Sequence, residues 1–339
     1  MILHRFPNGD TLERAEKAVI CRFAGPRRVL STAADNGGVR EDLVAVFNQD
    51  CKENGRKDVP LKAPTYTEHM AVVARELGLD PSRVCGLTTA ASMENMALCE
   101  ETYEDVTVTA AVTAGVDENG GRAGDPATWH EPPGGTVNIL LFVNANLPAW
   151  TMVRALITAT EAKTAALQEL QAPSRYSSGL ATGSGTDGAI VVSDRSSPRT
   201  FTFAGNHAKL GELIGRTVLR AVKEALFRQT GLCPERQYDV FARLGRYGVT
   251  REALLRQGVN ALRLEELSRE PELVTRAALY AHLLDELNWG LLKEADVIEA
   301  CRALLGRAGA AVQISTDSKK PLTEILAEAF LQSLAPLAK

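Results

Sequence analysis

Apolar and β-branched residues in the first two thirds of the chain come in short runs cut by Gly, Pro, Asp and Asn, whereas the last third keeps a helical period. Residues 19–23 and 28–32 read as two short strands joined by a Gly25-Pro26 turn. Helical periods follow at 41–54 and 65–77, the second closed by Gly78 and the Asp80-Pro81 break. Residues 84–89, 106–116 and 136–144 read as further strands, the last two dense in β-branched residues. A long helix is predicted over 148–170, strands over 189–193 and 200–204, and a helix over 207–228 with Asn206 as its cap. These elements make an α+β fold: a mixed, largely antiparallel sheet, covered by the helices at 41–77, 148–170 and 207–228. The strand pairs at 19–32 and 189–204 have connections too short for a parallel crossover, so they are expected to pair antiparallel. The strands 106–116 and 136–144 would lie centrally.

From Pro234 onward the pattern is helical and charged, with glycines and Pro271 as breaks. This divides the chain into a domain over 1–233 and a helical C-terminal extension over 234–339, each of ordinary domain size. The segment 117–135 holds five glycines, three prolines and the Trp129-His130 pair, and reads as an irregular candidate lid. Gly86-Leu-Thr-Thr-Ala-Ala-Ser-Met-Glu94 can be laid without a gap on Gly179-Leu-Ala-Thr-Gly-Ser-Gly-Thr-Asp187, which hints at a duplicated strand-helix-strand unit. In a duplication of that register Glu94 and Asp187 are equivalent and face one another across a pseudo-twofold cleft.

At 339 residues, 45% of them hydrophobic, the chain can bury a sizeable core. A net charge of −4 gives no basic field for nucleic acid or an anionic membrane. No apolar run is long enough to cross a bilayer and no signal-peptide core opens the chain, so a cytoplasmic location is expected. The six cysteines form no CxxC pair and the five histidines no HxxxH or HxH, so no protein-held metal is expected.

The chemistry-bearing candidate is Ala181-Thr182-Gly183-Ser184-Gly185-Thr186-Asp187-Gly188, with three glycines, three hydroxyls and one carboxylate. Glycine allows close backbone approach to a ligand, while the neighbours supply hydroxyl and amide donors and one acid. A plain turn would use the same glycines. On the helix 148–170, a step of about 100° per residue puts Lys163 on the apolar side with Leu156, Leu167 and Leu170. Burial there would favour its neutral form and suit a base, unless the amine snorkels to the rim. Arg154, Thr158, Glu161 and Gln168 form the adjacent polar stripe. His207, in a first helical turn, would be held neutral and suit a general base. Arg122 and Asp125 form either an Asp-Pro turn or a salt-bridged ligand clasp.

Taken together, Asn36-Gly-Gly38, the Gly86 to Glu94 string, Val112-Thr-Ala-Gly-Val116 with Arg122-Ala-Gly-Asp-Pro126, Thr136-Val-Asn-Ile139, Leu156-Ile-Thr-Ala-Thr-Glu-Ala-Lys-Thr164, the Ala181 to Asp187 loop and His207-Ala-Lys-Leu-Gly-Glu212 resemble adenosylcobinamide amidohydrolases of the CbiZ type. The resemblance runs from about residue 20 to 228. It implies hydrolysis of the amide between the aminopropanol arm of adenosylcobinamide and the corrin ring, giving adenosylcobyric acid for cobalamin salvage. The cobalt arrives inside the corrinoid substrate and no cofactor is held by the protein.

Amide hydrolysis needs a nucleophile, an oxyanion donor and an acid for the leaving amine. Asp187 or Glu94 would activate water, Lys163 or His207 would protonate the amine, and the loop amides with Thr182, Ser184 or Thr186 would hold the oxyanion. A covalent variant takes Ser184 or Thr182 as nucleophile; without a GxSxG elbow it ranks second. Asn36, Gly37, Asn144, Glu161, Thr182, Gly183, Gly185, Thr186, Arg122 and Asp125 are the candidate substrate contacts. The reading requires the loop, Lys163 and His207 to converge. Its rivals are a non-catalytic corrinoid or nucleotide carrier and an amidase or acyl transferase of different substrate. Fused duplicates pack as pseudo-dimers, and a homo-oligomer is compatible with the sequence.

Overall fold

The computed structural model describes residues 1–52, 61–129, 135–306, 314 and 319–338. The chain divides into two compact units: Met1–Tyr176 with Leu180–Leu232, and Cys233–Lys339 with Ser177–Gly179.

The first unit is α+β and holds two main sheets. One has five strands in the order β1 (Ile2–Arg5), β2 (Thr11–Arg14), β3 (Ala18–Arg22), β6 (Ala45–Asp50), β7 (Val84–Thr89). The other has six, in the order β5 (Gly38–Arg40), β4 (Arg27–Ser31), β13 (Gly188–Asp194), β11 (Val137–Val143), β9 (Val106–Ala114), β8 (Ala97–Tyr103). Within the main sheets all neighbours are antiparallel except β6 with β7 and β11 with β13. A parallel pair needs a crossover, and each has a helix: α1 (Tyr66–Glu76) and α2 (Ala149–Glu169). A third helix, α3 (Lys209–Thr230), lies beside α2. A short ribbon pairs β10 (Gly120–Gly121) with β12 (Gly183–Ser184).

The two sheets pack face to face. Val19, Cys21, Val46 and Leu87 of the first meet Val29, Leu140, Phe142 and Ile190 of the second in one cluster. The alternate residues Ile20, Phe47 and Val84 face Met70 and Val73 of α1, and Ile139, Leu141 and Val191 face α2 and α3. The result is four layers, helix, sheet, sheet, helix. Strands buried on both faces read as near-continuous apolar runs, which is the pattern of residues 139–143 in β11 and 189–192 in β13. Gly86 is forced by this packing: a Cβ there would lie 2.2 Å from the Phe47 ring on the neighbouring strand.

Four expectations are corrected. The range 41–54, expected to be a helix, holds strand β6 (Ala45–Asp50) and no helix over its described part, with residues 53 and 54 outside the described residues; a short apolar run buried on both faces has no period to tell strand from helix. The strands at 19–23 and 28–32 do not pair, because the Gly25-Pro26 corner carries the chain from one sheet to the other. Residues 200–204 form no strand beyond one bridge between Thr200 and Asn146. The strand-helix-strand unit does occur twice, but in a different register: Gly86 lies inside β7, whereas Gly179 precedes β12 and β13 begins at Gly188. Glu94 therefore has no equivalence to Asp187. It sits exposed in the turn Met93–Asn95 that follows β7.

The second unit is helical among its described residues: α4 (Pro234–Gln237), α5 (Val240–Leu244), α6 (Arg251–Leu255), α7 (Ala261–Ser268), α8 (Pro271–Asn288), α9 (Glu294–Gly306) and α10 (Leu322–Leu334). Its own core centres on Phe241, Tyr280 and Phe330. The buried Arg246 pairs with Asp285 at 2.5 Å and donates to Ser178 O, which holds Ser177–Gly179 in this unit. Among the described residues no helix is long and apolar enough to cross a membrane.

Candidate functional site

The loop 181–187 is fixed from two sides. Ala181 N donates to Ala172 O and Thr182 N to Gly121 O, both at 2.8 Å, and β12 pairs with β10. From α2, Thr164 Oγ1 donates to Thr182 O at 3.1 Å and Gln168 Nε2 to Ala181 O at 3.0 Å. Lys163 leaves the same stretch of helix, and its Nζ donates to Asp187 Oδ2. The two side chains are 10% and 16% exposed, so the pair meets solvent only at its rim.

Asp187 is the hub. Its Oδ1 accepts Ser184 Oγ at 2.6 Å and the Val137 amide at 3.0 Å; its Oδ2 accepts Lys163 Nζ and the Ser184 amide, the latter at 3.1 Å. Four donors fill the acceptor positions of the two oxygens, which fixes an ionised carboxylate in place. Gly183 lies against this cluster. A Cβ there would stand 2.3 Å from Asp187 Oδ2 and 2.7 Å from Lys163 Nζ. Gly183→Ala is expected to push the pair apart and to lower stability by about 1–3 kcal/mol, read as a fall in the denaturant midpoint. An unchanged midpoint would show that the loop yields freely.

Thr186 Oγ1 shares a 2.7 Å hydrogen bond with Thr136 Oγ1 and donates to Gly135 O at 3.0 Å. Gly135 and Thr136 also line an open cleft of ≈ 80 Å³, together with Ala91, Gly115 and Gln229. Behind β11, Asn138 Nδ2 donates to Asn48 Oδ1 at 2.8 Å and to Thr88 O at 2.9 Å, and Asn48 Nδ2 donates to Thr113 Oγ1 at 2.8 Å. This buried bridge joins the two sheets directly beneath the residue that donates to Asp187. Thr136, Asn138 and Asn48 have no assigned role in the sequence reading. Their signal is an asparagine inside an otherwise apolar strand, which a fold tolerates only with partners.

The structure thus gathers Lys163, Asp187, Ser184, Thr182, Gly183, Gly185 and Thr186. Thr182 Oγ1 accepts the Ala123 amide at 2.9 Å and so serves the loop itself. Arg122 and Asp125 lie on the adjacent loop and form no salt bridge with one another: Asp125 Oδ2 accepts the Arg122 amide at 2.8 Å and Ser174 Oγ at 2.5 Å, making a turn. The Arg122 guanidinium has no partner among the described residues. Residues 130–134 of the expected lid, His130 included, lie outside the described residues.

Other expected site residues are elsewhere. His207 is exposed and precedes α3, whose N-cap is Ala208, so it lacks the helix-end environment that the sequence suggests. Its neighbour Asn206 donates to Glu161 Oε2 at 3.2 Å. Glu161 and Lys163 are two residues apart and so project about 200° from one another around α2. That places Glu161, Asn206 and His207 off the side of the helix from which the ion pair is built. Asn144 caps the β8–β9 turn by accepting the Thr107 amide and donating to Asp105 O; along β11 it lies about 23 Å from Val137. Asn36 donates to Pro81 O and Val84 O at 2.8 Å, and Gly37 is required by a tight turn against Ala33 O. Both residues are structural. Among the described residues no three His, Cys, Asp or Glu side chains are grouped to hold a metal.

Residues 3–234 match the model of a family described as adenosylcobinamide amidohydrolase, which is more than half of the chain and all but a few residues of the first unit. The chain belongs to that family. It is 35% identical over 242 residues to an uncharacterized protein of Methanocaldococcus jannaschii, covering 65% of this chain and 89% of that one. It is 30% identical over 212 residues to the adenosylcobinamide amidohydrolase of Methanosarcina mazei, covering 60% of this chain and 91% of the relative. Among solved structures it is similar to the PH0078 protein of Pyrococcus horikoshii, at 12% identity and a TM-score of 0.31, over 67% of this chain and 81% of that one. A β-aminopeptidase of Burkholderia also matches at 12% identity, with a TM-score of 0.32 over 62% and 78% of the two chains. The family match ends at residue 234, close to the start of the helical unit.

Proposed function

We propose that the protein hydrolyses the amide joining the aminopropanol arm of adenosylcobinamide to a side chain of the corrin ring, releasing adenosylcobyric acid and aminopropanol. The observation that carries this reading is the Ser184–Asp187–Lys163 chain, in a loop that the family motifs include. A hydroxyl donates to a carboxylate that is paired with a largely buried ammonium. The cobalt belongs to the substrate, and no step uses a metal of the protein. Salvage of such an intermediate is a cytoplasmic reaction.

Ser184 is the nucleophile in this proposal, ahead of the water route favoured by the sequence alone. A water could reach Asp187 only by displacing one of four donors, whereas Ser184 already has its proton on the line to Oδ1. Attack forms the bond from Ser184 Oγ to the carbonyl carbon and passes that proton to Asp187. Lys163 gives a proton to the departing nitrogen as the C–N bond breaks. Proton transfer within the Asp187–Lys163 pair restores the ions, and water then cleaves the ester. The Gly185 amide, exposed and next to the nucleophile, donates to the oxyanion. The open cleft lined by Thr136, whose hydroxyl hydrogen-bonds Thr186, lies beside this cluster and receives the arm.

Incubation with adenosylcobinamide separates the readings. Release of aminopropanol with formation of adenosylcobyric acid supports the proposal, binding without release makes the protein a carrier, and neither makes it an amidase of another substrate. Acid-quenched protein is expected to carry an ester-linked cobyryl group on the peptide containing Ser184. Turnover by Ser184→Ala at the wild-type rate would return the mechanism to water.

A further inference from the structure

The outer face of α2 departs from the charged outer face of α3. Trp150, Val153 and Ile157 follow one another at helical spacing and are 66%, 45% and 41% exposed, and Phe203, on the strip hydrogen-bonded to Thr158, is 76% exposed. On α3 the corresponding outward positions are Lys209, Glu212, Arg216, Arg220 and Lys223, engaged in ion pairs. The α2 patch presents on the order of 400 Å² of apolar side chain, as large as a monomer ordinarily leaves in water and often a binding surface.

The charges around the patch say what covers it. Arg154 and Glu161 sit on the same outward face, one on either side of Ile157, and both are exposed. Arg154 has no ion pair or hydrogen bond among the described residues, and Glu161 accepts only the neutral amide of Asn206. A two-fold axis crossing α2 between Ile157 and Thr158 sets Arg154 opposite the partner's Glu161 and Glu161 opposite the partner's Arg154. An isologous contact requires this self-complementary order, and an unrelated partner would have no need of it. A stable contact takes about 800 Å² per subunit, so the apolar patch forms the centre of such a contact and the polar residues around it the rim.

We propose that a second copy of this chain covers this face, with the two α2 helices antiparallel and Ile157 at the axis. The same register lays each Trp150 over the partner's Thr164 and Ala165, beside the turn that holds Thr182 O. Dimerisation then backs the loop that carries Ser184 without lending it a reacting group. The dimer contact takes no part in the proposed reaction.

Sedimentation velocity at low micromolar concentration tests it, with the full chain. Wild type is expected at twice 36.5 kDa. Arg154→Glu and Glu161→Arg are each expected to sediment as monomers, because each sets like charges opposite one another. An equimolar mixture of the two single variants is expected to restore the dimer, since the heterodimer regains both pairs; the double variant is expected to do so alone. Circular dichroism of the exposed-site variants should match wild type. A monomeric wild type, or dimers that persist in both single variants, would overturn the proposal.

Discussion

Ser184→Ala is expected to lower turnover of adenosylcobinamide by roughly 10³-fold or more while leaving the unfolding transition within about 1 kcal/mol of wild type. The hydroxyl gives Asp187 one of four hydrogen bonds, and the remaining three still come from Lys163 and two backbone amides. The fold therefore keeps its hub and loses only the reacting group. Lys163→Met is expected to reduce the rate to a similar degree for a different reason. It removes the proton donor to the leaving nitrogen and leaves a half-buried carboxylate without its counter-charge, so this variant also loses stability. Lys163→Arg keeps the charge but not the shape: the guanidinium is planar and larger, and Gly183 leaves space for an amine only. Because the three groups act as one unit, Ser184→Ala with Lys163→Met should be scarcely slower than Ser184→Ala by itself. Steady-state kcat of the four variants, compared at equal folded fraction, is the measurement. Multiplicative losses in the double variant would show that the serine and lysine serve separate steps.

The part of the site that is local in the chain was legible before any coordinates. The loop 181–187 announces itself by composition, and Lys163 is assigned to the apolar side of its helix by the 3.6-residue period alone, where it is found. What joins them is a crossover length: α2 runs back along the sheet until Lys163 reaches the start of β13. Non-local partners were not legible. Val137 contributes through its backbone amide, which has no side-chain signature, and Thr136 matters because β11 and β13 pair in register from Asn138 with Gly188 onward. His207 misled because α3 begins later than the sequence suggests: Ala208 is its N-cap, and His207 lies outside the first turn with its side chain exposed. Asn144 and Asn36 misled for another reason: an asparagine at a strand exit caps a turn as readily as it meets a ligand. The same limit shaped the fold. The β6 run Ala-Val-Phe lies between α1 and the second sheet, and burial on both faces erases the alternation by which a strand is recognised.

At the other end of the sandwich, Arg27→Met is expected to cost about 3–5 kcal/mol, a large share of the stability of a domain. Arg27 begins β4 and is 1% exposed. Its Nε and Nη2 donate to the two oxygens of Asp10 at 2.8 Å, and its Nη1 donates to Asp194 Oδ1 at 2.9 Å and to Pro26 O at 3.0 Å. Asp10 precedes β2 in the first sheet and Asp194 ends β13 in the second, so one guanidinium neutralises a carboxylate from each sheet at the corner where the chain changes sheets. Methionine fills much of the volume but leaves two buried anions without a cation, and the penalty comes from those anions more than from the lost bonds. Arg27→Lys is expected to recover only part of the loss, because an ammonium cannot span both oxygens of Asp10 and reach Asp194. The Ser184–Asp187–Lys163 cluster lies beside the first residue of β13 and this one at the last, about 20 Å apart along the strand. The two should therefore separate cleanly: Arg27→Met lowers the denaturant midpoint with kcat per folded molecule unchanged, whereas Ser184→Ala does the reverse. An equal fall of kcat in folded Arg27→Met would mean that the strand transmits the corner's geometry to Asp187, and the division of the sandwich into a stabilising end and a reacting end would not stand.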